Sequence, residues 1–402
     1  MIRLIFKSSI ITWENLKRIL KAIEFYENLT YFSLDLSYLV LASTFTEGSK
    51  EEFDDIIDLI SGIILSFRKL KELKLRLDGI RKKPVQLDQR LELFQLNTRN
   101  SLPVFKLGSS ISSLSELQSI SLSFNNTNIE DYDLKYITTN LIQLTNLKDL
   151  ALSFLKCTKL TDKGMEIFSE CLSHKNMSKI WIGLSGCNIT DQGFLNISIM
   201  LSTLPRLEEL ALSCLECGEL KDDSLIRLSS SFTNLVHLKR LFLAFGFCPN
   251  IGQIGLINLF QSLSFLRKIR ILELDFSGNP YLDKNTLIAL ANSIHLYNKL
   301  ETFKLDISHC EKLSNKGIRI IMTGLETQKN TLLSLNLNLS YNSNISDKCI
   351  KEIFSNIREL GLLNKLDLKL TKCDNISLAC IQDFNLACSK MDNLIHICII
   401  TD

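Results

Sequence analysis

The chain has 402 residues, with 46 basic and 44 acidic side chains and a formal net charge of +2. No strong field therefore marks it as a binder of nucleic acid or of a membrane surface. Its hydrophobic fraction of 46% excludes a disordered chain, and no run of 18 apolar residues predicts a membrane-spanning helix.

The N-terminal stretch MIRLIFKSSIITW has too short an apolar run for a secretion signal and reads as a first strand from Met1, with Leu4 and Phe6 in strand positions. The first apolar position of each later strand falls at Leu29, Leu70, Leu117, Leu147, Met177, Leu207, Leu238, Ile269, Leu300, Leu332, Leu363 and Leu394. From Leu117 onward the spacings are 30, 30, 30, 31, 31, 31, 32, 31 and 31, the signature of a stacked repeat array. Leu29 to Leu70 spans 41 residues and Leu70 to Leu117 spans 47, so both units carry insertions. For residues 80–112 an extra helix and a disordered loop are both compatible with the pattern.

Within a repeat the apolar alternation first has period two, as in Leu272-Glu273-Leu274-Asp275-Phe276, which predicts a short strand with one buried face. The period then becomes helical: Phe194, Ile197, Leu201 and Leu204 form one stripe. Thr161, Thr190, Asp283, Ser346 and Ser377 precede these helices as expected N-caps. Two ladders of small residues accompany the leucines. Gly164, Gly193, Ser224, Gly255, Thr286, Gly317, Cys349 and Cys380 occupy the first helical turn, where bulk would push helices apart. Cys157, Cys187, Cys217, Cys248, Asn279, Cys310, Asn342 and Cys373 follow the strand, where a small polar group can bond otherwise unpaired loop backbone.

The pattern L-x-x-L-x-L-x-L-S-x-(C/N)-x-x-(I/L)-(T/S)-D-x-G resembles a leucine-rich repeat of the ribonuclease-inhibitor-like type, and Cys187 to Asp191 is also similar to the cysteine-containing repeats of F-box ubiquitin-ligase receptors. The strand, with three alternating apolar positions before Cys or Asn, and the two long early units depart from the family pattern. The implied fold is an α/β leucine-rich-repeat solenoid over residues 1–402, irregular over 1–116 and regular over 117–402. Strands stack about 4.8 Å apart and helices about 8–10 Å apart, so the expected body is a horseshoe with a parallel sheet on its concave face and helices on its convex face.

The concave face is the candidate site. Its central row reads Ser121, Ala151, Trp181, Ala211, Phe242, Glu273, Lys304, Asn336 and Asp367; the next row contains Asp275 and Asp306. Trp181 and Phe242 either anchor a protein-binding hot spot with an acidic rim at Asp275 and Asp306, or merely cover small neighbours. Lys239 and Arg240 join the candidate surface beside them, with a solvated mixed surface as their bland alternative. The twelve cysteines are too sparse for a disulfide scaffold, and a row along a solenoid does not converge on a metal. That usage points to a reducing, cytoplasmic setting. Five histidines at unrelated repeat positions and the lack of phosphate-loop, HExxH or G-x-S-x-G motifs lead us to expect no catalysis and no cofactor.

The expected function is a non-enzymatic scaffold for a protein partner of unknown identity, alone or within a cytoskeletal assembly. The closing stretch LIHICIITD adds an expected association edge at a terminal strand. Two alternatives follow from the resemblance. A ubiquitin-ligase receptor would need an F-box, where residues 1–28 instead read as a strand and a helix. A GTPase-activating protein, as in the activators of Ran, would be marked by an acidic tail that this sequence does not display.

Overall fold

The computed structural model describes residues 1–7, 9–42, 53–79 and 102–401. Met1–Asn188 and Ile189–Asp402 form two compact units, both built as a leucine-rich-repeat-like α/β solenoid. In the first unit the elements are β1 (Ile2–Ile5), β2 (Ile10–Thr12), α1 (Trp13–Lys21), β3 (Tyr31–Asp35), β4 (Val40–Ala42), α2 (Phe53–Ile64) and β5 (Glu72–Arg76). They continue as α3 (Leu102–Ser112), β6 (Ser119–Ser123), α4 (Asp131–Leu141), β7 (Asp149–Ser153), α5 (Asp162–Leu172) and β8 (Lys179–Gly183). Strands β1, β3, β5, β6, β7 and β8 are parallel neighbours in that order, and β2 pairs separately with β4.

The second unit contains α6 (Asp191–Ser202), β9 (Glu209–Ser213), α7 (Asp222–Ser231), β10 (Arg240–Ala244), α8 (Gln253–Ser262), β11 (Ile271–Asp275) and α9 (Lys284–His295). After these come β12 (Thr302–Asp306), α10 (Asn315–Leu325), β13 (Ser334–Asn338), α11 (Asp347–Ile357), β14 (Lys365–Lys369), α12 (Leu378–Cys388) and β15 (His396–Ile400). Strands β9 to β15 are parallel in sequence order.

The register explains the spacing of the leucines. Leu243, Leu274 and Leu305 stand opposite one another on β10, β11 and β12, and Leu34, Leu75 and Leu122 do so on β3, β5 and β6. These six side chains are at most 3% exposed, and two positions earlier each strand buries a second apolar residue (Leu241, Leu272, Phe303, Phe32, Leu73 and Ile120), while the residues between face the other side. The long unit after Leu70 holds its extra length between β5 and α3. Helix α3 packs between α2 and α4 and is that repeat's own helix; residues 80–101 lie outside the described residues.

Polar side chains join one repeat to the next. Cys157, Cys187, Cys248 and Cys373 donate their thiols to the carbonyls of Phe124, Phe154, Cys214 and Leu339, 33–34 residues earlier, at 2.9–3.2 Å. Asn342 fills the same role with Nδ2 on the carbonyls of Ile307 (3.0 Å) and Leu339 (2.8 Å), and Asn279 donates to Ile251 (3.0 Å). The expected exchange of Cys for Asn thus has a physical basis: both carry a donor small enough for a buried corner. All twelve cysteines are thiols. Burial pushes Cys248, Cys310 and Cys349 up to about 12, which makes their thiolates scarce at neutral pH.

Helix starts carry a second set of links. Thr161, Thr190, Asp283 and Ser377 accept backbone N–H bonds from the first turns of their helices, as expected of N-caps. Ser346 stands at the N-cap position of α11, but its N–H donates to Asn315 Oδ1 (3.0 Å) and its hydroxyl accepts from Asn315 Nδ2 (3.0 Å). Aspartates in the first turn reach forward one repeat: Asp131 accepts from Thr161 N–H (2.8 Å), Asp222 from Gly252 N–H (2.6 Å) and Asp347 from Ser377 N–H (2.7 Å). Gly255 is small for this reason, since a Cβ there would lie 2.6 Å from Asp222 Oδ1 and 2.8 Å from its Cα.

Two outcomes follow. Gly255→Ala, although alanine ordinarily favours a helix, should destabilise the protein by about 1–3 kcal/mol through the clash with fixed backbone. Gly218→Ala, with nothing within 4 Å of the added carbon, should leave the urea midpoint unchanged; equal midpoints for both variants would contradict this reading. Under native conditions iodoacetamide should label Cys380 and Cys398, the two half-exposed thiols, before the ten buried ones, as peptide mapping would show.

Candidate functional site on the open sheet face

The helices cover one face of each sheet and leave the other to solvent, so every second strand residue is available for contact. In the first unit Ser33, Lys74, Ser121, Ala151 and Trp181 follow one another across β3, β5, β6, β7 and β8. Trp181 is half-buried and lies along the sheet over Gly183: a Cβ at Gly183 would meet the indole Cη2 at 2.8 Å and Leu155 Cδ1 at 3.0 Å. Glycine there provides the room in which the indole rests. Trp181 is an outward residue, as the alternation predicts.

In the second unit the corresponding row is Ala211, Phe242, Glu273, Lys304, Asn336, Asp367 and Cys398. Phe242 is half-buried between Ala211 and Glu273. Glu273, with only 13% of its side chain exposed, is held by two cations: Arg240 Nη2 at 2.9 Å and Lys304 Nζ at 3.2 Å. Lys239 stands apart from this group and pairs with Glu208 at 2.8 Å. Of the flanking charges, Arg240 therefore belongs to the row beside Phe242 and Lys239 to the rim.

Asp275 and Asp306 have a structural task that composition does not reveal. Each closes a turn after its strand: Asp275 Oδ1 accepts from Ser277 N–H (3.0 Å) and hydroxyl (2.7 Å), and Asp306 Oδ1 accepts from Ser308 N–H (3.0 Å) and hydroxyl (2.7 Å). Asn338 closes the next turn through Ser340 N–H and donates Nδ2 to Asp306 Oδ2 at 2.6 Å. Burial pushes the Asp275 carboxyl up, against the pull of the Ser277 bonds and with help from the Asp306 charge. Asp367 goes the other way. Burial alone would raise it, but the bonds from Lys365 (3.1 Å), Asn336 (3.2 Å) and His396 (3.2 Å) hold its carboxyl below the ordinary range.

A third row escaped the sequence analysis. Tyr38, Gly79, Asn126, Lys156 and Gly186 in the first unit, and Glu216, Phe247, Gly278, His309, Tyr341 and Lys372 in the second, all have φ between 54° and 74°. They follow the strand turns with the spacing of the repeats, and their N–H groups add one more bond to the neighbouring repeat, as from Phe247 to Ser277 and from His309 to Ser340. Their residue types share no pattern, so only the common backbone conformation identifies the row.

At the last strand, Ile397 and Ile399 stand opposite the fully buried Leu366 and Leu368 but are only half-buried, and Ile395 is 85% exposed. Among the described residues no helix is long and apolar enough to cross a membrane, and no group of three or more His, Cys, Asp or Glu side chains is arranged to hold a metal ion.

No protein-family model matches this chain, and no curated protein matches it in sequence. Among solved structures it is similar to the crystal structure of a yeast complex of Rad7 and Elc1, with a TM-score of 0.56 over 96% of this chain and 82% of that one. The two are 14% identical, a likeness of fold.

The opposite shifts of the two carboxyls give a test with opposite signs. A carboxyl raised on folding costs stability once the pH rises above its unfolded value of about 3.9. A carboxyl lowered on folding adds stability above that value and loses it as the pH falls through the folded value. At pH 7, Asp275→Asn should be neutral or stabilising, since Asn338 closes the same turn, while Asp367→Asn should lower the melting temperature. The Asp367→Asn deficit should shrink as the pH falls to 3; a constant deficit would mean that packing, not charge, is responsible.

Proposed function

We propose that this chain is a non-enzymatic scaffold that binds a protein partner on the open sheet face, with Phe242 as anchor and Arg240, Glu273 and Lys304 as its polar surround. The observation that carries this reading is the state of that row. An aromatic ring half-open to solvent is flanked by a carboxylate already clamped by two cations. Such a triad presents a patterned polar surface beside the ring. Apolar anchors ringed by satisfied polar groups are what protein interfaces use. Trp181 on the first unit offers a comparable anchor.

The solved neighbour supports the reading, because Rad7 was crystallised with a protein, Elc1. A cytoplasmic or cytoskeleton-associated setting suits the thiols and the proposed role. The cysteine-containing repeat at Cys187 to Asp191 keeps a ubiquitin-ligase receptor as the second reading, and co-purification of a ligase adaptor with the full chain would favour it.

A photo-crosslinking residue, p-benzoyl-phenylalanine, in place of Phe242 should yield a discrete protein adduct in cells. The same residue in place of Ile254, exposed on helix α8, should not. Adducts of one pattern from both positions, or from Ile254 alone, would place the interface elsewhere.

A further inference from the structure

The row of positive φ in the second unit carries an exposed aromatic ladder. Phe247 and Tyr341 are 48% and 49% exposed. The Phe247 ring lies over Gly278, where a Cβ would meet it at 2.5 Å, and its centroid is 5.7 Å from that of His309. His309 and Tyr341 stack at 4.0 Å with 13° between their planes. Bulky residues pay about 1–2 kcal/mol to hold this backbone conformation, which glycine at Gly278 and asparagine at Asn126 adopt more readily. Three exposed rings at strained positions are a surface kept for contact rather than for folding.

The chemistry of the contact is indicated by the acids beside the ladder. Asp275 and Asp306 stand opposite each other on β11 and β12, three residues before Gly278 and His309. Among the described residues neither carboxylate has an ion-pair partner, and the like charges oppose one another. The first unit contains the same turn with its cation in place. Asp35 accepts from Ser37 N–H (3.0 Å) and hydroxyl (2.6 Å), as Asp275 and Asp306 do from their serines. Arg76 on the adjacent strand then bridges Asp35 (3.6 Å) and Asp78 (3.0 Å). The protein thus shows what such a carboxylate row accepts, a guanidinium. On the same edge of the second unit, Lys312 already sits over the Tyr281 ring at 5.0 Å, a cation on an aromatic face.

We infer that the Phe247–His309–Tyr341 ladder and the Asp275–Asp306 pair receive an arginine-bearing segment of a partner protein, its guanidinium stacked on the rings and paired with the carboxylates. Arginine fits better than lysine because its planar group stacks and bonds two carboxylates at once. This deepens the scaffold reading and rests on it, but uses a different edge of the sheet from Phe242.

The test uses labelled hexa-arginine and hexa-lysine peptides of equal charge, with affinity read by fluorescence anisotropy on the full chain. Hexa-arginine should bind at least ten-fold tighter than hexa-lysine. Two double variants borrow residues that other repeats use at the same positions: Asp275→Asn/Asp306→Asn after Asn338, and Phe247→Asn/Tyr341→Asn after Asn126, so both should fold with unchanged circular dichroism. Each should weaken hexa-arginine at least five-fold. Equal affinity for both peptides, no binding of either, or wild-type affinity in both variants would overturn the inference. Loss of the Phe242 crosslink with arginine preference intact would instead count against the scaffold reading alone.

Discussion

The structure depends on how each repeat disposes of the backbone at its corner. Where the strand ends and the chain turns toward the helix, carbonyl groups are buried against the next repeat and out of reach of water. One side chain per repeat meets them: a thiol at Cys157, Cys187, Cys248 and Cys373, an amide at Asn342. A bond of this kind contributes about 0.5–1.5 kcal/mol net, but leaving the carbonyl unpaired would cost about 1–3 kcal/mol. The donor must arrive at the same place in successive turns, so from Leu117 onward the repeat length stays at 30–32 residues even where leucines give way to other apolar side chains. The long unit after Leu70 places its extra length between β5 and α3.

Because the leucines, the corner donors and the first-turn aspartates hold each unit together, the outward strand positions are released from that duty. The two units use the freedom differently. The first presents small and mixed side chains, with Trp181 lying over Gly183 and Arg76 satisfying the acids beside it. The second presents Phe242 with the clamped Glu273 and, among the described residues, leaves Asp275 and Asp306 without a cation. A surface whose charges are partly satisfied and partly unmet is suited to a selective partner: the satisfied part fixes shape, the unmet part rewards one charge pattern over another.

Most of the fold was legible in the sequence because its causes are periodic. The strand leucines, the helix caps at Thr161, Thr190, Asp283 and Ser377 and the Cys/Asn ladder each recur at a fixed spacing, and the structure places them accordingly. The outward row was legible too, since alternation decides which way Trp181 and Phe242 face. The partners of the charged residues were not. That Arg240 reaches Glu273 while Lys239 reaches Glu208 depends on rotamers of adjacent strands, and that Asp275 and Asp306 close turns depends on serines two residues later. The row from Tyr38 to Lys372 was invisible because a backbone conformation, rather than a residue type, defines it.

The most direct measurement replaces Phe242, Glu273, Lys304, Asn336 and Asp367 together with serine, the residue that Ser33 and Ser121 supply at this row. If outward residues serve contact and inward ones the fold, the five-fold variant will unfold cooperatively, with native far-ultraviolet circular dichroism, and lose its protein partner. Broad or multistate unfolding of that variant, or retention of the partner, would show that the open face does not have the role assigned to it.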